Sequence, residues 1–310
     1  MTGNKIGTSA AIALCCAVAG AGLVGCDDSD TGSESNAESN AESSAPATPS
    51  PEADEGLLTG TEKITAGDYS VNVSCSGSPA EGRPVVVLLH GGGNDLATMA
   101  EFQEALSAEG RVCSYDRLGA GGSDQPQGPQ DYDAVGETLT AVLDEVVGDQ
   151  PVVLAGHSMG GLIAARYAPD HLDRVQGLVL LDATSPTAIA DMEARIPESA
   201  TGAAAQLRAQ TLAIYAGENP EQLVFADGEV ASVGDIPVRV IQHGQQYLAA
   251  LDPEYGPGLE EDWTKGQQDW ATMSTNSELS VAEDSGHDIH LEAPEIAVEA
   301  VETVVSQAAG

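Results

Sequence analysis

A serine framed by glycines stands out at Gly156-His157-Ser158-Met159-Gly160. An apolar run ends just before it at Ala155, and a helix-like run opens just after it at Gly161-Leu162-Ile163. A strand that turns this sharply into a helix holds the serine hydroxyl at the carboxyl edge of a sheet, facing a cleft, with the helix N-terminus behind it. The glycines are needed because side chains beside the serine would collide with neighbouring backbone. A structural strand-to-helix turn is the plain alternative, but this placement points to a nucleophile.

A serine hydroxyl attacks poorly until a base removes its proton, so a histidine must arrive from elsewhere in the chain. There are six. His90 and His157 lie inside glycine motifs, His171 follows a helix-like stretch, and His243 ends a predicted strand. His287 and His290 follow the last one. His287, in Ser285-Gly286-His287-Asp288, sits on a loop that can reach back over the sheet edge, and it is the expected base. His290 is read as a packing or hydrogen-bonding neighbour. In Leu88-Leu89-His90-Gly91-Gly92-Gly93 the glycines let backbone N–H groups approach a substrate, which suits an oxyanion hole. Its donors would be the N–H of Gly92, or of Gly93, together with that of Met159. A simple glycine turn is the competing reading, and His90 is expected to brace the loop.

Positioning these groups requires a sheet. From about Gly56 onward, apolar β-branched runs alternate with helix-like segments, the pattern of a largely parallel sheet covered on both faces. Strands are predicted at Tyr69 to Cys75, Pro84 to His90, Val112 to Asp116, Pro151 to Gly156, Val175 to Asp182, Pro237 to Gln242 and Glu278 to Glu283. The runs at Val85 to Leu89 and Val152 to Leu154 are apolar throughout, as in strands buried on both faces. Helices are predicted at Asp95 to Ala108, Tyr132 to Val147, Met159 to Tyr167 and Pro294 to Gln307. The stretch 183–235, rich in Ala, Glu and Gln, is expected to be a mostly helical insertion above the sheet.

The N-terminal segment reads differently. Lys5 precedes a run of apolar and small residues ending in Leu23-Val24-Gly25-Cys26, which is read as an export signal over 1–25. Leu-Val-Gly-Cys also resembles the bacterial lipobox, and lipid on Cys26 would anchor the protein to a membrane surface without spanning it. A retained N-terminal helix is the alternative. Residues 26–60 are polar and acidic, with Glu34-Ser35-Asn36-Ala37 nearly repeated at Glu38-Ser39-Asn40-Ala41, and are expected to be a disordered tether. The folded part then keeps only Cys75 and Cys113. In an oxidising compartment these suggest one disulfide, with two separate buried thiols as the alternative. The net charge is −38, from 49 acidic against 11 basic side chains. A field of that sign repels phosphate backbones, so nucleic acid is a poor partner.

Taken in order, His90-Gly91-Gly92, the loop Tyr115-Asp116-Arg117-Leu118-Gly119-Ala120-Gly121-Gly122-Ser123, the turn at Ser158, Leu181-Asp182 and Gly286-His287 resemble the α/β-hydrolase superfamily over about residues 64 to 308. The resemblance implies an α/β fold with a mostly parallel eight-stranded sheet flanked by helices, carrying a small helical cap at about 183–235 of the domain 61–310. It also implies the order nucleophile, acid, histidine, with the acid usually after the seventh strand. Here that strand is followed by His243-Gly244-Gln245-Gln246, so the usual acid is missing from its place. Some members take the acid from the end of the sixth strand, and Asp182 occupies that position. Asp252, in a loop after the seventh strand, is the alternative. Asp116 is expected to pair locally and shape its own loop. The family's sheet order would set Cys75 and Cys113 on neighbouring strands, which favours the disulfide.

The expected protein is therefore an extracytoplasmic, lipid-anchored bacterial hydrolase that cleaves an ester or related acyl bond of a small molecule. It would work through Ser158, His287 and Asp182, with no metal or organic cofactor implied. Peptide or lactone hydrolysis or acyl transfer on the same residues, or a non-catalytic surface binding protein of this fold, are the alternatives. A dehalogenase or epoxide hydrolase is disfavoured because each would resemble its family only with Asp where Ser158 stands.

Overall fold

The computed structural model describes residues 57–310. The export signal, Cys26 and all but the end of the tether lie outside the described residues. The tether was expected to run to residue 60, but Gly60 already pairs with Cys75 at the start of the first strand.

One sheet contains β1 (Gly60–Ala66), β2 (Tyr69–Ser76), β3 (Val85–Leu89), β4 (Val112–Tyr115), β5 (Val152–His157), β6 (Val175–Leu181), β7 (Val238–His243) and β8 (Ser277–Ala282). Their spatial order is β1-β2-β4-β3-β5-β6-β7-β8. β2 runs antiparallel to both of its neighbours, and the remaining pairs are parallel. β1 was not predicted because it is an edge strand: only Ile64 and Ala66 of Gly-Thr-Glu-Lys-Ile-Thr-Ala are buried. The helices are α1 (Ala100–Ser107), α2 (Tyr132–Val146), α3 (Met159–Tyr167), α4 (Ala188–Arg195), α5 (Gly202–Tyr215), α6 (Gly256–Trp270), α7 (Ile289–Glu292) and α8 (Pro294–Ala308).

Every residue of β3 is buried, because its two faces feed two cores. Val85, Val87 and Leu89 join Leu139 of α2 and Leu162 of α3, while Val86 and Leu88 join Phe102 of α1 and Val301 of α8. Each such side chain contributes roughly 1.5–3 kcal/mol relative to exposure. Asp131 starts α2 by accepting the Ala134 N–H at 2.9 Å, and Pro294 starts α8, where its missing N–H has no helical acceptor to lose. Cys75 lies opposite Cys113 in the β2–β4 pair, and a disulfide joins them.

Only the first part of the expected helical insertion is helical. After α4 and α5 the chain returns to β7 without a helix, since Gly217 has φ +95 and Asn219-Pro220 starts a turn. Asn219 holds that turn by donating to the carbonyls of Ile214 and Leu223 and accepting the Leu223 N–H. The roof above the sheet is completed by α6, which lies outside the expected insertion. Because β3 and β5 to β8 all run in one direction, the residues just past their ends collect at one edge, where a parallel sheet opens a crevice.

Candidate active site

Ser158 follows β5 and precedes α3, with φ +52. A non-glycine residue held there costs about 1–3 kcal/mol and persists only where its surroundings over-determine it. They do so here. A Cβ on Gly156 would come within 2.4 Å of the Gly160 backbone, and one on Gly160 within 2.2 Å of the Leu89 carbonyl oxygen. The Ser158 N–H donates to Leu181 O at 3.0 Å, which ties the turn to β6.

The Ser158 hydroxyl lies 3.0 Å from Nε2 of His287 and donates to it. His287 in turn donates its Nδ1–H to Oδ2 of Asp182 at 2.7 Å. The loop carrying His287 is held from two sides: His157 donates Nε2–H to the His287 carbonyl at 2.9 Å, and the Gly286 N–H reaches Glu292 at 2.6 Å. Burial, and then the neighbouring His287 and His290, keep the His157 ring well below the usual imidazole range, so it is a neutral brace. His290 packs behind His157 with tilted rings whose centroids are 4.7 Å apart. Burial lowers it to about 4.

Asp182 is completely buried and has φ +47, a conformation that Asp tolerates better than most residues. Its Oδ1 accepts the His243 N–H at 3.2 Å and Trp263 Nε1–H at 2.8 Å, and both carboxylate oxygens lie 2.8 Å from Nδ1 of His243. Burial alone would raise this carboxyl, but hydrogen bonds from His243 and His287 outweigh it and hold the group well below the usual carboxylate range. Asp252 is not brought to the site. Its carboxylate accepts the N–H groups of Glu254 and Tyr255, shaping the turn that leads into α6.

The loop after β3 meets the same edge. Arg117 donates to the carbonyls of His90 at 2.7 Å and Gly91 at 3.0 Å, and its guanidinium also pairs with Glu221 at 2.6 and 3.0 Å. His90 gives Nδ1–H to Gly91 O at 2.8 Å and accepts the Arg117 N–H at 3.3 Å, so it braces the loop as a neutral ring. Burial, then Arg117, lower it well below its ordinary value. With those carbonyls turned toward Arg117, Gly92 and Gly93 line the cleft beside Met159, the first residue of α3, whose N–H has no intrahelical acceptor. Asp116 accepts N–H groups of Leu96 and Gly122 and the Asn72 amide, and so shapes its own loop. Above Ser158 lies a cavity of about 320 Å³ whose lining includes Met192 of α4, Leu207 and Ile214 of α5, and Leu259 of α6.

Sequence reasoning did not single out His243, Glu260, Trp263 or Arg117 as parts of this cluster. The available signal was a histidine standing where the resemblance calls for an acid.

A model of the alpha/beta hydrolase family matches residues 86–301. The chain belongs to that family. Human (lyso)-N-acylphosphatidylethanolamine lipase is 31% identical over 103 residues, covering 32% of this alpha/beta hydrolase and 30% of the lipase. Human protein phosphatase methylesterase 1 is 34% identical over 119 residues, covering 36% of the chain and 30% of the relative. The chain thus matches about a third of the length of these curated relatives. Among solved structures, a thermophilic esterase from Thermogutta terrifontis superposes with a TM-score of 0.57 at 20% identity, covering 81% of this chain and 99% of the esterase. The enol-lactonase from Burkholderia xenovorans does so at 0.55 and 20%, covering 79% of this chain and all of the lactonase. At that identity the likeness is one of fold.

Proposed function

We propose that this alpha/beta hydrolase is an exported, lipid-anchored serine hydrolase that cleaves an ester bond through an acyl-enzyme on Ser158. One observation carries the reading: Ser158 donates to His287 at 3.0 Å, and His287 donates to a fully buried Asp182 at 2.7 Å. His287 takes the Ser158 proton as Oγ bonds to the acyl carbon. The carbonyl oxygen gains negative charge and is held by the N–H groups of Gly92 and Met159. Collapse expels the alcohol, which takes the proton from His287. Water, deprotonated by the same ring, then releases the acid and restores the serine. Asp182 fixes the tautomer and stabilises the imidazolium in each half.

The apolar lining suits an acyl chain without charge. Asp191 and Asp288 also border the cavity without a cationic partner among the described residues, while Glu221 and Asp262 there are paired with Arg117 and Arg195, so an anionic substrate would meet net repulsion. The disulfide fits an oxidising compartment, and Cys26 is the proposed point of acylation. A fluorophosphonate probe with peptide mass analysis tests the nucleophile: an adduct on Ser158 that vanishes in Ser158→Ala is expected, and a folded protein without it refutes the reading. Intact mass of the exported protein tests the anchor, which an unacylated N-terminus upstream of Cys26 would rule out.

A further inference from the structure

Beside Asp182 stands a second histidine that the proposed reaction leaves unused. His243, the last residue of β7, has no exposed side-chain surface. Its Nδ1 faces Asp182 at 2.8 Å from both oxygens, and its Nε2 faces Glu260 of α6. The other oxygen of Glu260 accepts the Ala249 N–H at 3.2 Å. A neutral imidazole would turn a lone pair toward one of these carboxylates, so the ring carries both protons and a positive charge. The charges therefore alternate along one buried row, negative on Glu260, positive on His243 and negative on Asp182, and the row ends at His287.

The other titratable groups facing this row add no charge of their own inside it. Tyr247, whose ring lies 4.7 Å from His243 and 5.5 Å from His287, is pushed well above its ordinary range by burial and stays neutral. His157, 4.6 Å from His287, and His290 behind it are neutral rings. Asp288 lies 3.6 Å from His157 and is a third exposed, and Glu292, which holds the Gly286 N–H next to His287, is exposed as well, so solvent screens both. Trp263 brings only its N–H.

We infer that His243 is a positioning residue whose buried positive charge offsets the combined pull of Asp182 and Glu260 on His287, leaving His287 Nε2 free to accept the serine proton at lower pH. This rests on the reading of Ser158 and His287 as nucleophile and base. Seen from His287, the native row sums to one negative charge. His243→Gln keeps an N–H donor for Asp182 but leaves two negative charges. Glu260→Gln leaves none where His243 keeps its charge, and one where the new amide donates to a neutral ring. The double variant restores one.

The rate of fluorophosphonate labelling of Ser158 across pH, in the full chain, reads this directly. The acidic limb is expected to move to higher pH by about one unit or more in His243→Gln. In Glu260→Gln it stays or moves to lower pH, because the new amide can donate to Nε2 of a neutral His243 while the Nδ1–H still meets Asp182. In the double variant it returns close to the wild-type position. Slower labelling in His243→Gln with the limb unmoved would mean that His243 only supports the fold, and a double variant displaced as far as His243→Gln would also overturn the inference. Where His243→Gln does not fold, Glu260→Gln decides with the His243 ring followed by NMR: a limb that moves upward, or that stays while His243 keeps its charge, refutes the proposal. NMR titration of the His287 ring follows the same shifts without turnover. A wild-type protein that gives no Ser158 adduct but shows the ring shifts would therefore defeat the nucleophile reading alone.

Discussion

Asp182 and His287 are 105 residues apart in sequence, yet the carboxylate of one accepts the Nδ1–H of the other at 2.7 Å. The contact forms because β6 and β8 end at the same edge of the sheet, and because Asp182 takes φ +47, turning its side chain back across that edge. The expected acid position after β7 is filled by His243, which approaches the same carboxylate from the other side.

Replacing Asp182 by Asn is therefore expected to lower kcat by about 10⁴-fold, since an amide no longer holds the imidazole in the tautomer that accepts the serine proton. Asp252→Asn changes only a turn and is expected to leave kcat within about threefold, as surface substitutions usually perturb little. Steady-state kinetics on a short-chain ester separates the two, and the reverse ranking would move the acid to Asp252.

The buried pair between Arg117 and Glu221 links the loop after β3 to the returning end of the insertion, with side chains 2% and 4% exposed. Arg117→Met strands Glu221 without a partner and releases the His90 and Gly91 carbonyls. A destabilisation of about 3–5 kcal/mol is expected from the broken buried pair. Urea denaturation measures it. The freed loop should also lower kcat more than it raises KM, because the proposed oxyanion donors would matter most in the transition state. Unchanged kcat in the folded variant would separate Arg117 from the oxyanion loop.

Much of this arrangement is legible in the sequence wherever a residue type has one structural use. Val85 to Leu89 and Val152 to Leu154 are apolar at every position because both faces of those strands are covered, and the glycines around Ser158 are demanded by contacts of 2.2 to 2.4 Å. β1 escapes because a half-exposed edge strand carries Thr, Glu and Lys. α6 escapes because Gly256-Pro257-Gly258 and Gly266 argue against a helix, while its packing against Arg195, Ser185 and the site exists only in three dimensions. His243 was visible as a strand-ending histidine, but its meaning depends on Glu260 arriving from α6.

The same histidine predicts how stability varies with pH. His243 is raised from 6.5 to about 9: burial opposes the charge, and the hydrogen bonds that the ring donates to Asp182 and Glu260 outweigh it. A group raised on folding stabilises fully below its unfolded value, and that contribution disappears as pH climbs through the folded one. Stability should thus fall between about pH 6.5 and 9, by on the order of 3 kcal/mol. Asp182, held below its ordinary range, acts in the opposite sense and loses its contribution only in acid. Urea melts at pH 6 and 9.5 test this against His243→Gln, in which the alkaline decline should shrink. An equal decline in both proteins would assign it to other groups.

Reduction of the Cys75–Cys113 bond offers the last test. The two cysteines are 38 residues apart and join β2, the antiparallel strand, to β4 beside the sheet's centre. Closing a loop of that length restricts the unfolded chain by about 4 kcal/mol in the chain-entropy description. Because both residues are buried and pack in the core, replacing them also removes some apolar contact. Reduction in denaturant is therefore the cleaner comparison. Urea midpoints with and without dithiothreitol should differ by an amount equivalent to about 2–4 kcal/mol. Ser158 lies just past β5, two strands beyond β4, so labelling of the folded, reduced protein should proceed at its native rate. A reduced protein that stays fully folded but no longer labels would show that the bond shapes the site and does not act on the unfolded chain alone.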